Sequence, residues 1–366
     1  MTIQVWSTDE TEAGARGEAL GAAFAAGIRA ALDEYDTVFR AAAIDLASAR
    51  GVVETCLALT AEQVPDVAAE VTGIARGAGL EPWRVMLLSA RTEVLALTKL
   101  TGSECSTGVF LPADGSAPRS IQTWDWLAAM SAVTVVRRYP SAGGRQVVTF
   151  AEVGQVAKIG VNSAGLGLHF NILHHVSDGS QSGIPVHVVA RRILDEATTL
   201  DEAVAVARAT PVAASTVLTV VAAEAGSPRA ASIELTPTGL AVIEATPGRV
   251  LAHTNHFLDP GLAAGQVIPS FSTTAERLAC LTEHATLVAL PDPLERALAL
   301  GALPDAPITM RPRAGAPPHQ RWSSKATLAL DVADPAIELH PGGPADVTRP
   351  GWRRVSVAGH TAQARR

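Results

Sequence analysis

Hydrophobic side chains in the first hundred residues recur at helical spacing. The positions that repeat every four residues are Leu20, Phe24, Ile28 and Leu32. This periodicity predicts amphipathic helices over residues 8–59. The sequence Thr-Ala-Glu-Gln at residues 60–63 resembles a capping box and predicts the start of a further helix, and a last helix is expected over residues 85–97.

From residue 105 onward, runs of β-branched and apolar residues replace the helical pattern. The runs that predict strands cover residues 105–111, 120–126, 132–136, 146–150, 157–161, 166–172, 215–221, 230–235, 239–244, 326–332 and 336–340. Turn sequences at residues 112–115 and 162–165 join neighbouring runs into two hairpins. Further helices are expected over residues 185–197, 200–209 and 272–289. The basic tail past residue 350 is expected to be loose.

The order of these elements favours two sheets covered by helices on both sides, which is a layered α+β fold. A chain of 366 residues allows one domain or two. Apolar residues make up 48% of the chain and charged residues 18%, so the protein can bury a large core and does not have the composition of a disordered chain.

Net charge bears on the class of binding partner, and the first residues bear on the cellular location. The formal net charge of -7 argues against nucleic acid or an anionic membrane surface, because both require a basic footprint. The first residues lack the basic head and apolar core of a secretion signal, and no apolar run reaches membrane-spanning length. We therefore expect a cytoplasmic protein.

The cysteines and histidines do not form a recognisable metal or disulfide pattern. Cys56, Cys105 and Cys280 are odd in number and far apart, so at least two of them are expected to be core thiols. Four histidines lie close together in sequence, namely His169, His174, His175 and His187. None of them belongs to a His-Glu-x-x-His or Cys/His pattern, so no bound metal ion is expected. No other cofactor is expected either.

Cys105 is the candidate nucleophile, because it stands where the helical pattern gives way to strands. A thiol needs a base to react, and the alternative of a papain-type cysteine with a distant histidine finds no matching local signature here. The hairpin that follows brings Asp125 back towards Cys105.

Four short motifs carry a resemblance to a known family. They are Cys105-Ser106-Thr107, Gln122-Thr123-Trp124-Asp125-Trp126, residues 158–166 and His253-Thr254-Asn255-His256. In order and spacing the chain resembles the acyl-coenzyme A:isopenicillin N acyltransferase family, the C45 peptidase-type N-terminal nucleophile hydrolases. The resemblance implies a four-layer αββα sandwich of the N-terminal nucleophile hydrolase type. It also implies self-cleavage of a zymogen between Glu104 and Cys105.

Such a cut would give a helical α-chain, residues 1–104, and a sheet-rich β-chain, residues 105–366, that together form one αββα domain. The free α-amino group of Cys105, with a pKa of about 7.7–8 in model peptides, could then take the thiol proton. By resemblance, Asp125 would hold this amino group and Asn255 would donate to the oxyanion. The alternative interpretations are a turn carboxylate at a strand end for Asp125 and a turn or cap residue for Asn255.

Two positions depart from the family pattern. Glycine commonly precedes the nucleophile, but this chain has Glu104, which could slow attack on its own carbonyl or position water. Thr274 replaces the first of two arginines, so a solvated helix face is the favoured interpretation of the remaining Arg277. Trp124, Trp126 and Arg277 are the candidate substrate contacts.

Three functions remain open from the sequence. The preferred one is a self-processing amidohydrolase that cleaves a small-molecule or aminoacyl amide through a thioester on Cys105. The alternatives are an acyltransferase that moves an acyl group to an amine from coenzyme A or another amide, and an uncut binding protein without catalysis. The α- and β-chains are expected to stay associated, and a homo-oligomer is left open.

Overall fold

The computed structural model describes residues 3–98, 104–130, 133–224, 226–316, 321–359 and 361–363. The helices are α1 Ala13–Ala41, α2 Leu46–Gln63, α3 Pro65–Ala78, α4 Pro82–Ser89, α5 Arg91–Leu95, α6 Val186–Glu196, α7 Leu200–Arg208, α8 Pro260–Ala263, α9 Thr274–Glu283, α10 Ala285–Val288 and α11 Pro293–Gly301. The strands are β1 Ile3–Ser7, β2 Ser106–Phe110, β3 Arg119–Leu127, β4 Thr134–Pro140, β5 Gln146–Glu152, β6 Ile159–Asn162, β7 Leu166–Ile172, β8 Thr216–Ala222, β9 Arg229–Thr236, β10 Gly239–Glu244, β11 Val250–His253, β12 Trp322–Asp331, β13 Ala336–Pro341, β14 Arg353–Ser356 and β15 Thr361–Gln363.

Two sheets form the centre of the molecule. The eight-stranded sheet has the order β1-β4-β5-β6-β7-β8-β9-β10, and the seven-stranded sheet has the order β11-β2-β3-β12-β13-β14-β15. The sheets face each other, since β12 contacts β6 and β7, and β13 contacts β5 and β6. Helices α6 and α7 pack against the eight-stranded sheet, whereas α9, α10 and α11 pack against the seven-stranded sheet. This arrangement confirms the four-layer αββα sandwich.

The sequence pattern predicts a purely helical segment before Cys105, but this segment also contains a strand. Its first residues form β1, which pairs in parallel with β4, so Ile3 lies beside Thr134. Helices α1 to α5 follow β1 along the chain. The amino-terminal segment therefore supplies an edge strand to a sheet whose other strands all come after Cys105.

Several expected boundaries are wrong for local reasons. The capping box at residues 60–63 is instead the last turn of α2, where the Thr60 hydroxyl donates to the Cys56 carbonyl oxygen. Pro65 begins α3 because proline suits the first turn of a helix. The tail past residue 350 is not loose throughout, since β14 pairs with β13. Helix α11 lies in a stretch with no predicted element.

Both predicted hairpins are confirmed. Strands β2 and β3 pair antiparallel with Ser106 beside Thr123, which brings Asp125 next to the start of β2. Strands β6 and β7 pair antiparallel across the turn at residues 162–165. The first hairpin is the local structure that creates the site described below.

Helices α1 and α3 approach each other so closely that their backbones touch. A Cβ added at Gly17 or Gly21 of α1 would overlap the carbonyl oxygens of Glu70 or Ile74 in α3. Glycine is thus required at these two positions, because any side chain would push the helices apart.

Replacing Gly21 by alanine is expected to destabilise the fold. The added methyl group meets backbone, which cannot move aside, so we expect a loss of about 1–3 kcal/mol in the free energy of unfolding. Gly51→Ala in α2 is the matched control, because nothing lies within 4 Å of its Cβ position. That change should stabilise the helix by about 0.5–1 kcal/mol. Denaturant unfolding measures both, and equal effects would contradict the close approach.

Among the described residues, no helix is both long and apolar enough to cross a bilayer. Cys56 and Cys280 are buried free thiols, as expected.

Candidate active site

Cys105 lies directly before β2, in the core between the sheets. Its Sγ is 3.7 Å from the backbone carbonyl oxygen of Asp125, and the residue is 4% exposed. Burial, reinforced by the negative charge of Asp125, raises the pKa of the Cys105 thiol to about 11. The sulfur is therefore protonated at neutral pH in the uncut chain, and a reaction through it requires a base.

Asp125 is a fully buried residue inside β3 and not a turn carboxylate at a strand end. Its Oδ1 accepts a hydrogen bond from the Ser324 hydroxyl, and its Oδ2 accepts one from the Thr123 hydroxyl at 3.2 Å. The Thr123 oxygen also accepts the backbone N–H of Ser106 at 3.2 Å. One hydroxyl thus links the carboxyl group to the residue that follows Cys105. Burial raises the pKa of Asp125 to about 7, although the hydrogen bond from Ser324 acts to lower it.

The raised pKa of Asp125 predicts that the free energy of unfolding depends on pH. It is best measured in the Cys105→Ala variant, which lacks the candidate nucleophile and is expected to stay one chain. The unfolded carboxyl loses its proton near its ordinary pKa of 3.8, whereas the folded one keeps it to about pH 7. The stability that Asp125 contributes is therefore complete below the unfolded pKa and is lost as the pH rises through the folded pKa. Asparagine cannot ionise, so Asp125→Asn should gain on the order of 3 kcal/mol relative to its parent between pH 5 and pH 8. Denaturant unfolding at both pH values would show it, and a pH-independent difference would contradict it.

Arg277 is fully buried, which corrects the expectation of a solvated helix face. Its Nη1 donates to the carbonyl oxygen of Cys105 at 2.6 Å and to the Ser106 hydroxyl at 2.9 Å. Its Nη2 donates to the Glu104 carboxylate at 2.7 Å and to Asn255 Oδ1 at 3.0 Å. The helix pattern was misleading because Arg277 lies on the buried side of α9 together with Cys280 and Leu281, and this helix packs against β11 and β2. One guanidinium therefore contacts both residues of the expected scissile bond.

Asn255 follows β11, and both its backbone and its side chain form hydrogen bonds. Its backbone N–H donates to the Thr274 hydroxyl at 2.8 Å, and its Nδ2 donates to the Ile172 carbonyl oxygen at 2.9 Å. Its Oδ1 accepts from Arg277. Thr274, which stands where the family often has arginine, thus orients the segment that carries Asn255. The oxyanion role of Asn255 stays a prediction.

Asn171 of β7 is a site residue that the sequence did not single out. Its Nδ2 lies 3.2 Å from the carbonyl oxygen of Cys105, 3.3 Å from that of His253 and 3.2 Å from that of Thr254. This amide bridges the two sheets beside the candidate nucleophile. The available signal was a polar residue within an apolar strand, but His169 gives the same signal in the same strand.

Trp124 and Trp126 lie over buried cations. Lys158 Nζ is 4.0 Å from the centre of the Trp124 ring, and the Arg91 guanidinium carbon is 4.1 Å from that of Trp126. Both cations pair with Glu152, Arg91 at 2.7 Å and Lys158 at 3.4 Å. Burial, followed by the positive charge of Arg91, lowers the pKa of Lys158 to about 7. The cations thus hold the two rings in place next to Asp125.

A cavity of about 520 Å³ lies beside this site. Trp126 and Ile172 form part of its wall, and they adjoin Asp125 and Asn255 respectively. The remaining lining residues are Thr92, Leu95, Ala96, Leu97, Thr98, His174, His175, Val176, Asp178, Ala214 and Val267. The volume lies within the range of small-molecule sites, about 300–1,000 Å³.

The clustered histidines have other contacts. His169 Nδ1 lies 3.0 Å from Gln122 Oε1, and His187 stacks on Phe170 with ring centres 4.7 Å apart. Within the described ranges, no group of three or more His, Cys, Asp or Glu side chains is arranged to hold a metal ion.

Comparison with known proteins gives a family match over the middle of the chain. The family model described as acyl-coenzyme A:6-aminopenicillanic acid acyl-transferase matches residues 117–288, just under half of the chain. This region contains Asp125, Asn255 and Arg277 but begins after Cys105. The acyl-coenzyme A:6-aminopenicillanic-acid-acyltransferase 40 kDa form of Emericella nidulans is 28% identical over 202 residues. The match spans 55% of this chain and 54% of that relative, about half the length of each.

Three of the solved structures that align with this chain do so at low sequence identity. A mutant of the conjugated bile acid hydrolase from Clostridium perfringens aligns with a TM-score of 0.46 and 10% identity over 71% of this chain and 97% of that one. Penicillin V acylase from Agrobacterium tumefaciens gives 0.38 and 16% over 69% and 91%. The Caenorhabditis elegans N-acylethanolamine-hydrolyzing acid amidase ortholog gives 0.44 and 12% over 62% and 93%. The family match confirms the resemblance that the motifs indicate: this chain is similar to the acyl-coenzyme A:6-aminopenicillanic acid acyl-transferase family.

Proposed function

We propose that the protein is a self-processing amidohydrolase whose nucleophile is the thiol of Cys105. The observation that carries this proposal is that Arg277 contacts Glu104, Cys105 and Asn255, while Asp125 contacts the sulfur of Cys105. Asn255 and Arg277 lie about 150–170 residues after Glu104 and Cys105 in the sequence, and the fold brings them together directly before β2. Such a cluster is suited to a single cleavage of the buried bond between Glu104 and Cys105. The thiol of Cys105 would then remain available to attack a substrate.

Processing begins with the attack of Cys105 Sγ on the carbonyl carbon of Glu104. The bond between this carbon and the Cys105 nitrogen breaks, a thioester forms on sulfur, and the thiol proton goes to the departing nitrogen. Water then hydrolyses the thioester, which leaves a new carboxylate on Glu104 and a free thiol and α-amino group on Cys105. The scissile nitrogen thus accepts the thiol proton in this single cut, and the amine that it becomes is the base for every later turnover.

The same thiol then acts on a substrate amide. The α-amino group of Cys105 takes the thiol proton and passes it to the leaving amine, while the substrate acyl group forms a thioester with Sγ. Water releases the acid and restores the thiol. Asp125 would hold the α-ammonium group, and Asn255 would stabilise the oxyanion, an interaction whose loss typically costs about 10²–10³ in rate.

A small-molecule amide is the substrate class that the cavity supports. The space of about 520 Å³ beside Trp126 and Ile172 is large enough for such a molecule. Its polar groups, among them Asp178 and His175, could bind an amine or an amide of the substrate.

Buried contacts across the cut support an α-chain that stays associated. Glu70 pairs with Arg137 and Arg191, and Arg91 pairs with Glu152. Each pair joins residues 1–104 to residues 105–366, and β1 adds a strand ladder to β4. Cleavage removes none of these contacts.

Acyl transfer is the second candidate, because the Emericella relative carries that name. It would use the same thioester and differ only in whether an amine, rather than water, reaches it. Release of free acid from an amide in water, with no transfer product when amines are added, would favour the hydrolase.

Intact-mass spectrometry of the purified protein tests the proposal. Two species that end at Glu104 and begin at Cys105, and that co-elute in size-exclusion chromatography, are the expected result. A single uncut chain with Cys105 present would overturn it and favour the non-catalytic alternative. The cleaved protein should then release amine from at least one member of a panel of N-acyl and aminoacyl amides.

A further inference from the structure

Glu104 contributes the carbonyl group of the proposed scissile bond, and its carboxyl side chain is buried. It is 1% exposed, and one carboxylate oxygen, Oε2, accepts three hydrogen bonds. The donors are Arg277 Nη2 at 2.7 Å, the Thr273 hydroxyl at 2.9 Å and the Thr273 backbone N–H at 3.2 Å. The other oxygen, Oε1, is buried with no hydrogen-bond partner among the described residues, so the contacts of Oε2 are the ones that hold this side chain.

The same arginine also holds the residue on the other side of the bond. While Nη2 binds the Glu104 carboxylate, Nη1 binds the carbonyl oxygen of Cys105 at 2.6 Å. The guanidinium is planar and rigid, so its two ends fix the distance between these groups. The peptide bond between Glu104 and Cys105 is therefore anchored on both sides by one side chain.

Arg277 is itself fixed from three further directions. Its Nε donates to the Thr273 hydroxyl at 3.1 Å, Nη1 donates to the Ser106 hydroxyl, and Nη2 donates to Asn255 Oδ1. These hydrogen bonds restrict the movement of the Arg277 side chain. Glu104 is therefore held at the position that Arg277 defines.

We propose that Glu104 is a positioning residue for self-cleavage, which it promotes by tying the scissile carbonyl to Arg277 and Thr273. This inference rests on the proposed function. The carboxylate does not enter the chemistry, since the sulfur attacks the backbone carbonyl of the same residue. Its effect is to hold that carbonyl within reach of Cys105 Sγ, where a misplacement of about 1 Å can cost on the order of 100-fold in rate.

The opposite effect is the competing interpretation. A negative charge beside the carbonyl could instead repel the incoming sulfur, in which case removal of Glu104 would speed up processing. The two interpretations therefore predict changes of opposite sign.

The test is the self-cleavage rate of a Glu104 series refolded from denaturant and followed by intact mass. Glu104→Met keeps the length and removes every acceptor, so we expect cleavage to slow on the order of 10-fold to 100-fold. Glu104→Gln keeps an oxygen acceptor without the charge and should fall between Met and wild type. Glu295→Met is the matched control, because Glu295 forms an exposed pair with Arg349, and its rate should equal that of wild type.

A second measurement separates positioning from folding. The same Glu104 variants in the Cys105→Ala background cannot cut, so their unfolding midpoints report the stability of the intact chain alone. A merely structural role would lower the midpoint and leave the rate of the folded fraction unchanged. Slow cleavage by a folded Glu104→Gln or Glu104→Met chain supports positioning.

Two outcomes would overturn the inference, and they differ in their cause. A wild-type chain that stays whole removes the proposed function and this inference with it. A wild-type chain that cuts, with Glu104→Met cutting equally fast or faster, removes only the positioning role.

Discussion

The Cys105→Ala variant is expected to remain one full-length chain and to hydrolyse no amide. Alanine has no nucleophile, so neither the thioester of self-cleavage nor that of turnover can form. Cys105→Ser should still be cut, but more slowly, because a hydroxyl is the weaker nucleophile. Intact mass after expression and after long incubation measures processing, and amine release measures turnover.

A second cysteine provides the control for this experiment. All three cysteines are buried and free, but Cys280 shares α9 with Arg277, whereas Cys56 lies in α2, which carries none of the residues that contact Arg277. Cys56→Ala is therefore the matched control and should be cut as wild type is cut. A Cys105→Ala chain that still separates between residues 104 and 105 would refute the assignment of the nucleophile.

Removing the Glu70 carboxylate is expected to produce the largest loss of stability. Glu70 of α3 is fully buried and pairs with Arg16, Arg137 and Arg191 at 2.7–3.0 Å. Glu70→Ala would leave three buried guanidinium groups without their shared counter-ion, and breaking a buried pair in this way typically costs about 3–5 kcal/mol. That is a large part of the total stability of an ordinary domain, about 5–15 kcal/mol.

Equilibrium unfolding in the uncut Cys105→Ala background measures this loss. Glu54→Ala is the matched control, because Glu54 forms an exposed pair with Arg50 one helical turn away. Exposed pairs of this kind contribute about 0.3–0.5 kcal/mol, so the control should unfold almost as its parent does. Equal effects of the two changes would show that the Glu70 cluster does not stabilise the fold.

The Glu70 cluster also predicts how stability changes in acid. The three arginines hold the pKa of Glu70 far below its usual range, although burial alone would raise it. A lowered folded pKa means that the contribution of Glu70 is present above its unfolded pKa and is lost as the pH falls below it. Glu70 and Asp125 therefore favour opposite ends of the pH range.

Local sequence patterns were sufficient to predict most of the elements and the position of the candidate nucleophile. Periodicity shows that helices dominate before residue 105 and that strands follow, because it reflects which face of each element is buried. Turn residues at 112–115 were enough to predict the hairpin that brings Asp125 near Cys105. The motifs then indicated the family and the αββα layers.

The surroundings of Cys105, in contrast, depend on contacts between elements that are distant in sequence. Arg277, Asn171 and Ser324 come from three different elements, and no local pattern reveals that an arginine in an amphipathic helix faces a site instead of solvent. They meet because α9 packs on β2, β12 pairs with β3 in the same sheet, and β7 of the other sheet contacts β2. The same packing gives Glu104 partners in Thr273 and Arg277, which the sequence showed only as a departure from glycine.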